Sequence, residues 1–245
     1  MRILTIGNSF SEDATRYLSQ IAKAQGVYFE VVNACIGGCS LERHYRNMLG
    51  GAKDYWLCYN GSYTGFNITL EEALLSRQWD VVTIQQVSHD SPKKDTFYPY
   101  ITELVDYIRT CQPKAKLLLQ ETWAYEDGSH RLTVELGYKT RKEMLSDIQA
   151  SYRAAAESEG LDGIIPSGTL LDKLLDSGIE KVHRDTFHAS FGLGRYALAL
   201  LWFRMLTGKS VAENPFCSFD VPVSAEEVEI AKRVVDSFEP LWNKN

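Results

Sequence analysis

Short apolar runs alternate with longer segments of helical periodicity along the chain, and this alternation constrains the fold more than any other feature. Most of the runs are continuously apolar, which is typical of strands covered on both faces of a parallel sheet. We predict five strands, at residues 3–6, 28–32, 81–84, 116–119 and 163–165. Strands separated by helical segments form βαβ units, so the pattern predicts an α/β fold with a five-stranded parallel sheet.

The segments between the strands, and those after the last strand, place apolar residues at the spacing of an amphipathic helix. In the last of them, Ser224 is followed three residues later by Glu227, the sequence pattern of a capping box at a helix start. We predict helices over residues 13–25, 98–111, 141–159, 190–207 and 224–238.

Two segments interrupt this rhythm. Residues 50–67 are rich in Gly, Tyr and Asn and form either a hairpin or an irregular insertion. Residues 121–139 form a long connection, and loops of this length in compact domains are often functional. There is no internal repeat, and 245 residues fit one α/β core. We therefore predict a single domain over residues 1–245 with a possible insertion at 50–67.

The charge and the hydropathy of the chain limit the classes of partner that we expect it to bind. The formal net charge is −6 and the chain has no basic stripe, which argues against nucleic acid. The longest apolar stretch, residues 196–206, is too short to span a bilayer, so we predict no membrane association. The chain opens with only a short apolar run rather than a leader. This predicts a cytoplasmic protein, or an exported one whose leader has been removed. The oligomeric state is not predicted.

The five cysteines are odd in number and lack a secretory signal, which argues against a disulfide framework and favours free thiols. No set of His, Asp or Glu residues has the spacing of metal ligands. We therefore predict neither a metal nor a cofactor.

The first chemical motif is Gly7-Asn8-Ser9, directly after the first predicted strand. A turn there would place the serine hydroxyl beyond the carboxyl edge of the sheet, where ligands bind in open α/β folds. The following helix would present free N–H groups and a dipole that favours negative charge. This is a suitable setting for a nucleophilic serine. The alternative is a plain turn in which Ser11 or Asp13 caps a helix.

The second motif is Asp185-Thr186-Phe187-His188, just before the helix predicted to start at residue 190. An aspartate and a histidine three residues apart can face one pocket from a single turn. His188 would then act as general base toward Ser9, with Asp185 holding the imidazole tautomer. The alternative is that Asp185 caps the helix and His188 is a polar residue of its first turn.

Together these motifs resemble the SGNH (GDSL-like) hydrolase family, from Ile3 to about Gly208. In that family a GDS-like serine follows the first strand and a DxxH motif lies near the C-terminus; here Asn8 replaces the usual aspartate. The resemblance implies a three-layer α/β/α sandwich and a catalytic triad of Ser9, Asp185 and His188. It also implies an oxyanion hole that includes the Ser9 N–H. The flavodoxin-like folds share the same layered plan.

A glycine after the second strand is the next point of resemblance. Asn33-Ala34-Cys35-Ile36-Gly37-Gly38 is similar to the family block whose glycine N–H binds the oxyanion. Gly38 is the closer match and Gly37 the alternative. Physically, a glycine lets the backbone approach a substrate, and an N–H aimed at developing charge acts in the transition state. A plain tight turn is the other interpretation.

The block after the third predicted strand departs from the family. The usual GxND asparagine is missing, and Gln85 and Gln86 stand there, as in some carbohydrate-ester branches that this sequence resembles. A glutamine amide offers the same N–H donors. Gln85, which directly ends the strand, is the preferred oxyanion donor, and Gln86 is the alternative. Both could instead be solvent-facing polar residues.

Three further histidines lie near the motifs. We expect His183 to be an exposed loop residue and His44 to lie on a helix surface. For His89, a position in the cleft and a position outside it are equally open. Aromatic side chains in the two long segments could stack on sugars, although ordinary packing is favoured for them; these are Tyr59, Tyr63, Trp123 and Tyr125.

The sequence therefore predicts a serine ester hydrolase that forms an acyl-enzyme on a small acyl ester. The glutamine variant and the loop aromatics favour O-acetyl groups on carbohydrate. One alternative is a thioesterase or acyltransferase that uses the same triad. A second is a non-catalytic carbohydrate-binding domain of this fold, and a third is a flavodoxin-like binding module.

Overall fold

A computed structural model describes residues 1–242 and shows a single seven-stranded sheet. Its strands are β1 (Arg2–Gly7), β2 (Glu30–Cys35), β3 (Tyr55–Tyr59), β4 (Ser62–Ile68), β5 (Val81–Ile84), β6 (Lys116–Gln120) and β7 (Gly163–Ile165). They lie in the order β4-β3-β2-β1-β5-β6-β7. Neighbouring strands are parallel throughout the group β2, β1, β5, β6 and β7, which confirms the α/β fold.

The strand number five is wrong, because the segment at residues 50–67 adds an antiparallel hairpin at the edge of the sheet. Strand β3 pairs antiparallel with β2, and β4 pairs antiparallel with β3. The turn consists of Asn60 and Gly61, whose φ angles are 48° and 81°. Two central residues with positive φ match the right-handed twist of a hairpin, and Asn-Gly is the favoured pair. This local preference turns the insertion into two strands.

The helices are α1 (Ser9–Thr15), α2 (Leu18–Ala24), α3 (Leu41–Gly50), α4 (Leu70–Leu75), α5 (Tyr100–Cys111), α6 (Arg141–Ser158), α7 (Ser167–Asp176), α8 (Leu193–Thr207) and α9 (Ala225–Asp236). Two helices, α1 and α2, replace the single helix predicted over residues 13–25, and α1 begins four residues earlier, at Ser9. Helices α3, α4 and α7 are additional to the predicted ones. Between α1 and α2, the Arg16 guanidinium donates to the Gly61 carbonyl and pairs with Asp220.

The connections place the helices on both faces of the sheet. From β1 the chain crosses to β2 on one side, and from β2 it returns past β1 to β5 on the other. Because parallel crossovers are right-handed, these opposite steps put their helices on opposite faces. Helices α1, α2, α7 and α9 pack around α8, while α3, α4 and α5 pack together. The result is the three-layer sandwich that the resemblance implied.

Helix α8 forms the centre of one helical layer. From Leu193 to Leu206 nearly all of its side chains are buried, so it is apolar around its whole circumference. None of the described helices is both long enough and apolar enough to cross a membrane.

Candidate active site

The reversal of strand order beside β1 creates a crevice at the carboxyl edge of the sheet. In open α/β sheets this switch point is where ligands bind. Ser9 is the first residue of α1, directly after β1, and Asn8 is its N-cap, accepting from the Phe10 N–H at 3.0 Å. A short polar cap followed at once by a helix holds the Ser9 hydroxyl at this edge.

The side chains of Ser9, His188 and Asp185 form a continuous chain of hydrogen bonds. Ser9 Oγ lies 2.9 Å from His188 Nε2, and His188 Nδ1 lies 2.8 Å from Asp185 Oδ2. When Nδ1–H donates to the carboxylate, Nε2 is left as the acceptor for the serine proton. The fold thus brings Ser9 to a pair of residues, Asp185 and His188, that lie more than 170 positions later in the sequence.

The loop that carries Asp185 and His188 is held in one conformation by its own hydrogen bonds. Asp185 Oδ1 accepts from the His188 N–H at 2.9 Å, and the Arg184 N–H donates to the His188 carbonyl at 3.0 Å. Thr186 has a φ of 79°, a left-handed conformation that is unusual for a β-branched residue. Such strain is typical of functional loops. The turn points the carboxylate and the imidazole of the motif toward each other.

The same contacts act on the acidity of Asp185. Partial burial raises the pKa of this carboxyl, but the hydrogen bonds from the His188 side chain and backbone outweigh it and leave the pKa below its usual value. The carboxylate is therefore ionised at neutral pH and is suited to orient an imidazole and stabilise its cation.

A buried carboxylate fixes the serine helix to the histidine loop. Asp13, on α1, is fully buried and accepts from Arg184 Nη1 at 2.8 Å and from Arg195 Nε at 2.8 Å. It also accepts from the Ala189 N–H at 3.2 Å. Arg184 and Ala189 flank the Asp185–His188 turn, so one carboxylate sets the distance between α1 and the triad loop. No local sequence signal marks a helical aspartate as buried, so this role of Asp13 cannot be predicted from the sequence alone.

The triad opens into a cleft of about 450 Å³, within the usual range for small-molecule sites, about 300–1,000 Å³. One wall is aromatic: Phe187 lies against the His188 ring, with centroids 3.9 Å apart, and Tyr125 packs edge-on against Phe187. Phe10 stacks on Trp123 at 3.9 Å. The remaining lining residues are Asn8, Ser9, Gly37, Gly38, Val87, Ser88, His89 and Arg131. An apolar wall facing a few polar groups is typical of small-molecule sites.

Backbone N–H groups at the cleft are free to bind an anion. Within residues 1–242, the N–H groups of Ser9, Gly37 and Gly38 donate to no other group. Ser9 begins a helix, so its N–H has no intrahelical acceptor. Gly38 has a φ of 62° although a Cβ there would meet no atom within 4 Å. Backbone conformation, rather than space, therefore favours glycine at this position, with Gly37 beside it as the alternative donor.

The geometry does not support Gln85 or Gln86 as oxyanion donors, because both side chains are buried beneath the cleft. Gln85 Nε2 donates to Asn8 Oδ1 at 2.7 Å, and Gln86 Nε2 donates to the Thr96 carbonyl at 3.0 Å. Gln86 Oε1 accepts from the Leu41 N–H at 3.0 Å. Their amides support the loops around the cleft. They are not solvent-facing residues either.

The structure corrects two expectations about histidines. His44 is fully buried, 2.9 Å from the Tyr55 hydroxyl, and burial lowers its pKa to about 3, so it is neutral rather than a surface residue. His183 is also buried, and its Nε2 bonds the Ala124 carbonyl at 3.0 Å. Burial lowers the pKa of His183 as well. His89 is exposed and lines the cleft.

The loop aromatics divide into two groups. Trp123 and Tyr125 are buried, and Trp123 Nε1 donates to the Phe187 carbonyl at 2.7 Å. Their main role is packing behind the histidine loop, although Tyr125 also lines the cleft. Tyr59 and Tyr63 are exposed on the hairpin, 40% and 50% respectively. In residues 1–242, no group of three or more His, Cys, Asp or Glu side chains is placed to hold a metal ion.

This architecture is that of the SGNH hydrolases. A candidate SGNH hydrolase from Slackia heliotrinireducens has a TM-score of 0.59 and 22% identity, covering 82% of this chain and 95% of that one. An acetyl xylan esterase from Geobacillus stearothermophilus has a TM-score of 0.53 and 16% identity, covering 83% and 93%. These similarities establish a shared fold and confirm the resemblance seen in the motifs.

The chain belongs to the DUF4886 family, a domain of unknown function, whose profile matches residues 2–237. The crystal structure of a DUF4886 family protein from Bacteroides uniformis is similar over almost the whole chain. Its TM-score is 0.90 at 32% identity, covering 96% of this chain and 93% of that one. No curated protein matches the sequence.

Proposed function

We propose that the protein is a serine ester hydrolase that acts through an acyl-enzyme. The proposal rests on two consecutive hydrogen bonds. Ser9 Oγ lies 2.9 Å from His188 Nε2, and His188 Nδ1 lies 2.8 Å from Asp185 Oδ2. A serine activated by a base that a third group orients is the arrangement that acyl transfer requires.

In the first half of the reaction, Ser9 Oγ attacks the ester carbonyl carbon while His188 Nε2 takes the hydroxyl proton. The carbonyl oxygen becomes an oxyanion, to which the Ser9 and Gly38 N–H groups donate, with Gly37 as the alternative. When the bond to the leaving alcohol breaks, His188 returns the proton to its oxygen. Ser9 is then left acylated.

In the second half, a water molecule attacks the acyl carbon and His188 Nε2 takes one of its protons. Collapse of the second tetrahedral intermediate breaks the bond to Ser9 Oγ and returns the proton to the serine. The products are the free acid and the original enzyme. Asp185 stays ionised throughout and stabilises the imidazolium at each step.

A small acyl ester of a carbohydrate is the substrate class that we favour. The cleft of about 450 Å³ is of a size for a small substrate, and Phe10, Tyr125 and Phe187 line it with aromatic side chains. On the hairpin, Trp56 and Tyr63 are exposed and pack edge-to-face with centroids 5.7 Å apart. Trp56 pairs across strands with Cys35, two residues before the Gly37-Gly38 turn. Exposed rings at this position suit the apolar faces of sugars, and acetyl xylan is the substrate named for one protein of the same fold.

The test is hydrolysis of 4-nitrophenyl acetate and acetylated sugars by the wild type, Ser9→Ala and His188→Ala. We expect kcat/KM to fall by at least about a thousandfold in both variants, since triad members act as a unit. Matched controls are Ser19→Ala, on α2, and His130→Ala, at an exposed ion pair with Glu135. Ser19 is half-buried and His130 is exposed, and neither lines the cleft, so both controls should stay within about twofold of the wild type.

The outcomes separate the competing functions. Turnover of acetyl-CoA with no turnover of acetylated sugars would favour a thioesterase or acyltransferase that uses the same triad. Sugar binding that persists in Ser9→Ala, with no ester cleaved by the wild type, would replace the proposal with a binding domain.

A further inference from the structure

Arg131 places a positive charge at the wall of the cleft. It lines the same cleft as Ser9 and His188, and its guanidinium carbon lies 4.1 Å from the centre of the Phe187 ring. Phe187 in turn contacts the His188 ring, with centroids 3.9 Å apart. One aromatic ring therefore separates the guanidinium from the imidazole of the triad.

The Arg131 charge has no carboxylate partner within residues 1–242. The acidic residues on neighbouring turns are paired elsewhere: Glu135 with His130 at 3.4 Å, and Glu126 with Lys181 at 3.6 Å. Asp185 is held by His188. The Tyr125 hydroxyl lies close to the guanidinium. Among the described residues no acidic side chain pairs with it, so the guanidinium can bind a planar anion by two parallel N–H bonds.

The rest of the cleft lining contributes no carboxylate. The chain as a whole carries a net charge of −6, which is opposite in sign to the charge of Arg131 at the cleft. A cleft lined by one sign of charge and by low-dielectric aromatic walls focuses its field and raises the local concentration of the opposite charge. The local field at Arg131 is therefore opposite to that of the molecule.

The backbone at Arg131 is fixed rather than loose. Arg131 begins a wide helical turn, Arg131–Glu135, of a kind that is frequent at functional sites. The next residue, Leu132, is fully buried, and its N–H donates to Ser129 Oγ at 3.2 Å. The exposed guanidinium thus extends from an anchored turn, so little additional ordering is needed when an anion binds.

We propose that the cleft selects esters that carry a carboxylate close to the scissile bond, and that Arg131 binds this carboxylate. The inference rests on the proposed esterase function and narrows its substrate class to acyl esters of acidic compounds such as uronic acids, or half-esters of dicarboxylic acids. Arg131 is then a specificity-determining residue that takes no part in the proton transfers.

The experiment compares charged and neutral members of two substrate pairs. One pair is acetylated methyl glucuronide and acetylated methyl glucoside, which differ on the alcohol side. The other is 4-nitrophenyl hemisuccinate and 4-nitrophenyl butyrate, which differ on the acyl side. The wild type should prefer the charged member of at least one pair in kcat/KM. In Arg131→Gln this preference should fall by about tenfold or more, as the loss of a charge-assisted hydrogen bond predicts.

The neutral member is an internal control for a merely structural role. If Arg131 only held Phe187 and His188 in place, Arg131→Gln would slow both members of a pair equally and leave the preference unchanged. Arg131→Lys should keep part of the preference. Arg46→Gln removes an equal charge from an exposed pair with Glu42 on α3 and should keep all of it.

Each outcome is decisive. Loss of the charge preference in Arg131→Gln alone supports the proposal. Turnover by the wild type without any charge preference, or an equal loss in Arg46→Gln, overturns it and leaves the esterase function intact. A wild type that cleaves no ester overturns the proposed function and the substrate assignment together.

Discussion

Replacement of the buried carboxylate of Asp13 tests the idea that one side chain holds the serine helix and the histidine loop together. Asp13→Asn keeps the shape of the side chain and removes its charge. The two guanidinium groups that now share it, on Arg184 and Arg195, would lose their common partner. Side-chain exposures of 21% and 9% show that neither arginine can turn fully into water without moving.

The magnitude follows from burial. Arg195 would keep Asp220 at 3.3 Å, whereas Arg184 would have no other carboxylate partner among the described residues. Breaking a buried ion pair by removing one partner costs about 3–5 kcal/mol, because a charge is left uncompensated. For a domain of this size, each kcal/mol lowers the Tm by about 2–4 °C, so we expect a fall of about 6–20 °C. The proposed esterase activity should fall as well, since the Ala189 N–H and Arg184 that Asp13 binds flank the Asp185–His188 turn.

The assay is thermal and urea denaturation of Asp13→Asn beside Asp220→Asn. Asp220 is the matched control because it also pairs with Arg195, at 3.3 Å, but its side chain is 32% exposed. Ion pairs near the surface contribute about 1 kcal/mol or less. If both variants melt within 2 °C of the wild type, or if they lose equal stability, the reasoning about Asp13 is refuted.

Two further predictions concern positions around the sheet edge. A Cβ on Gly7 would lie 2.6 Å from Ser11 Oγ, whereas a Cβ on Gly37 would meet nothing within 4 Å. Gly7→Ala should therefore cost about 1–3 kcal/mol in a urea titration and Gly37→Ala much less; equal losses would contradict this reading. Burial raises the pKa of Glu121 to about 7, against the hydrogen bonds from Thr169. The folded state then retains a proton that the unfolded state loses above its pKa of about 4.5, so this group makes stability fall by about 3 kcal/mol between pH 4.5 and 7. Glu121→Gln should remove that fall from the urea-derived stability curve, and parallel curves for the two proteins would argue against it.

The motifs in the sequence were sufficient for the class of fold. Continuous apolar runs separated by helical patterns predict the five parallel strands, because both patterns are local properties of the sequence and do not depend on distant residues. For residues 50–67 the composition alone does not separate a hairpin from an irregular insertion, although Asn60-Gly61 between two β-rich runs is a strong hairpin signal. Helices α3, α4 and α7 were missed because their periodic segments are short.

For the site, the sequence by itself determined the order Ser9, then Asp185 and His188, and the glycine turn at Gly37-Gly38. These residues follow strand ends or lie in one short turn, so their chemistry can be read from local spacing. The carboxyl ends of parallel strands share one edge, which is why the motifs could be placed near each other before the structure was known.

Only the tertiary structure decided where buried polar side chains point. It turned Gln85 toward Asn8 and away from the cleft, joined Asp13 to Arg184, and left Arg131 without an acidic partner among the described residues. The physical reason is that a buried polar group must find a partner across the fold, and which partner it finds depends on residues far away in the chain. The spacing of residues along the chain does not specify which partner a buried polar group binds.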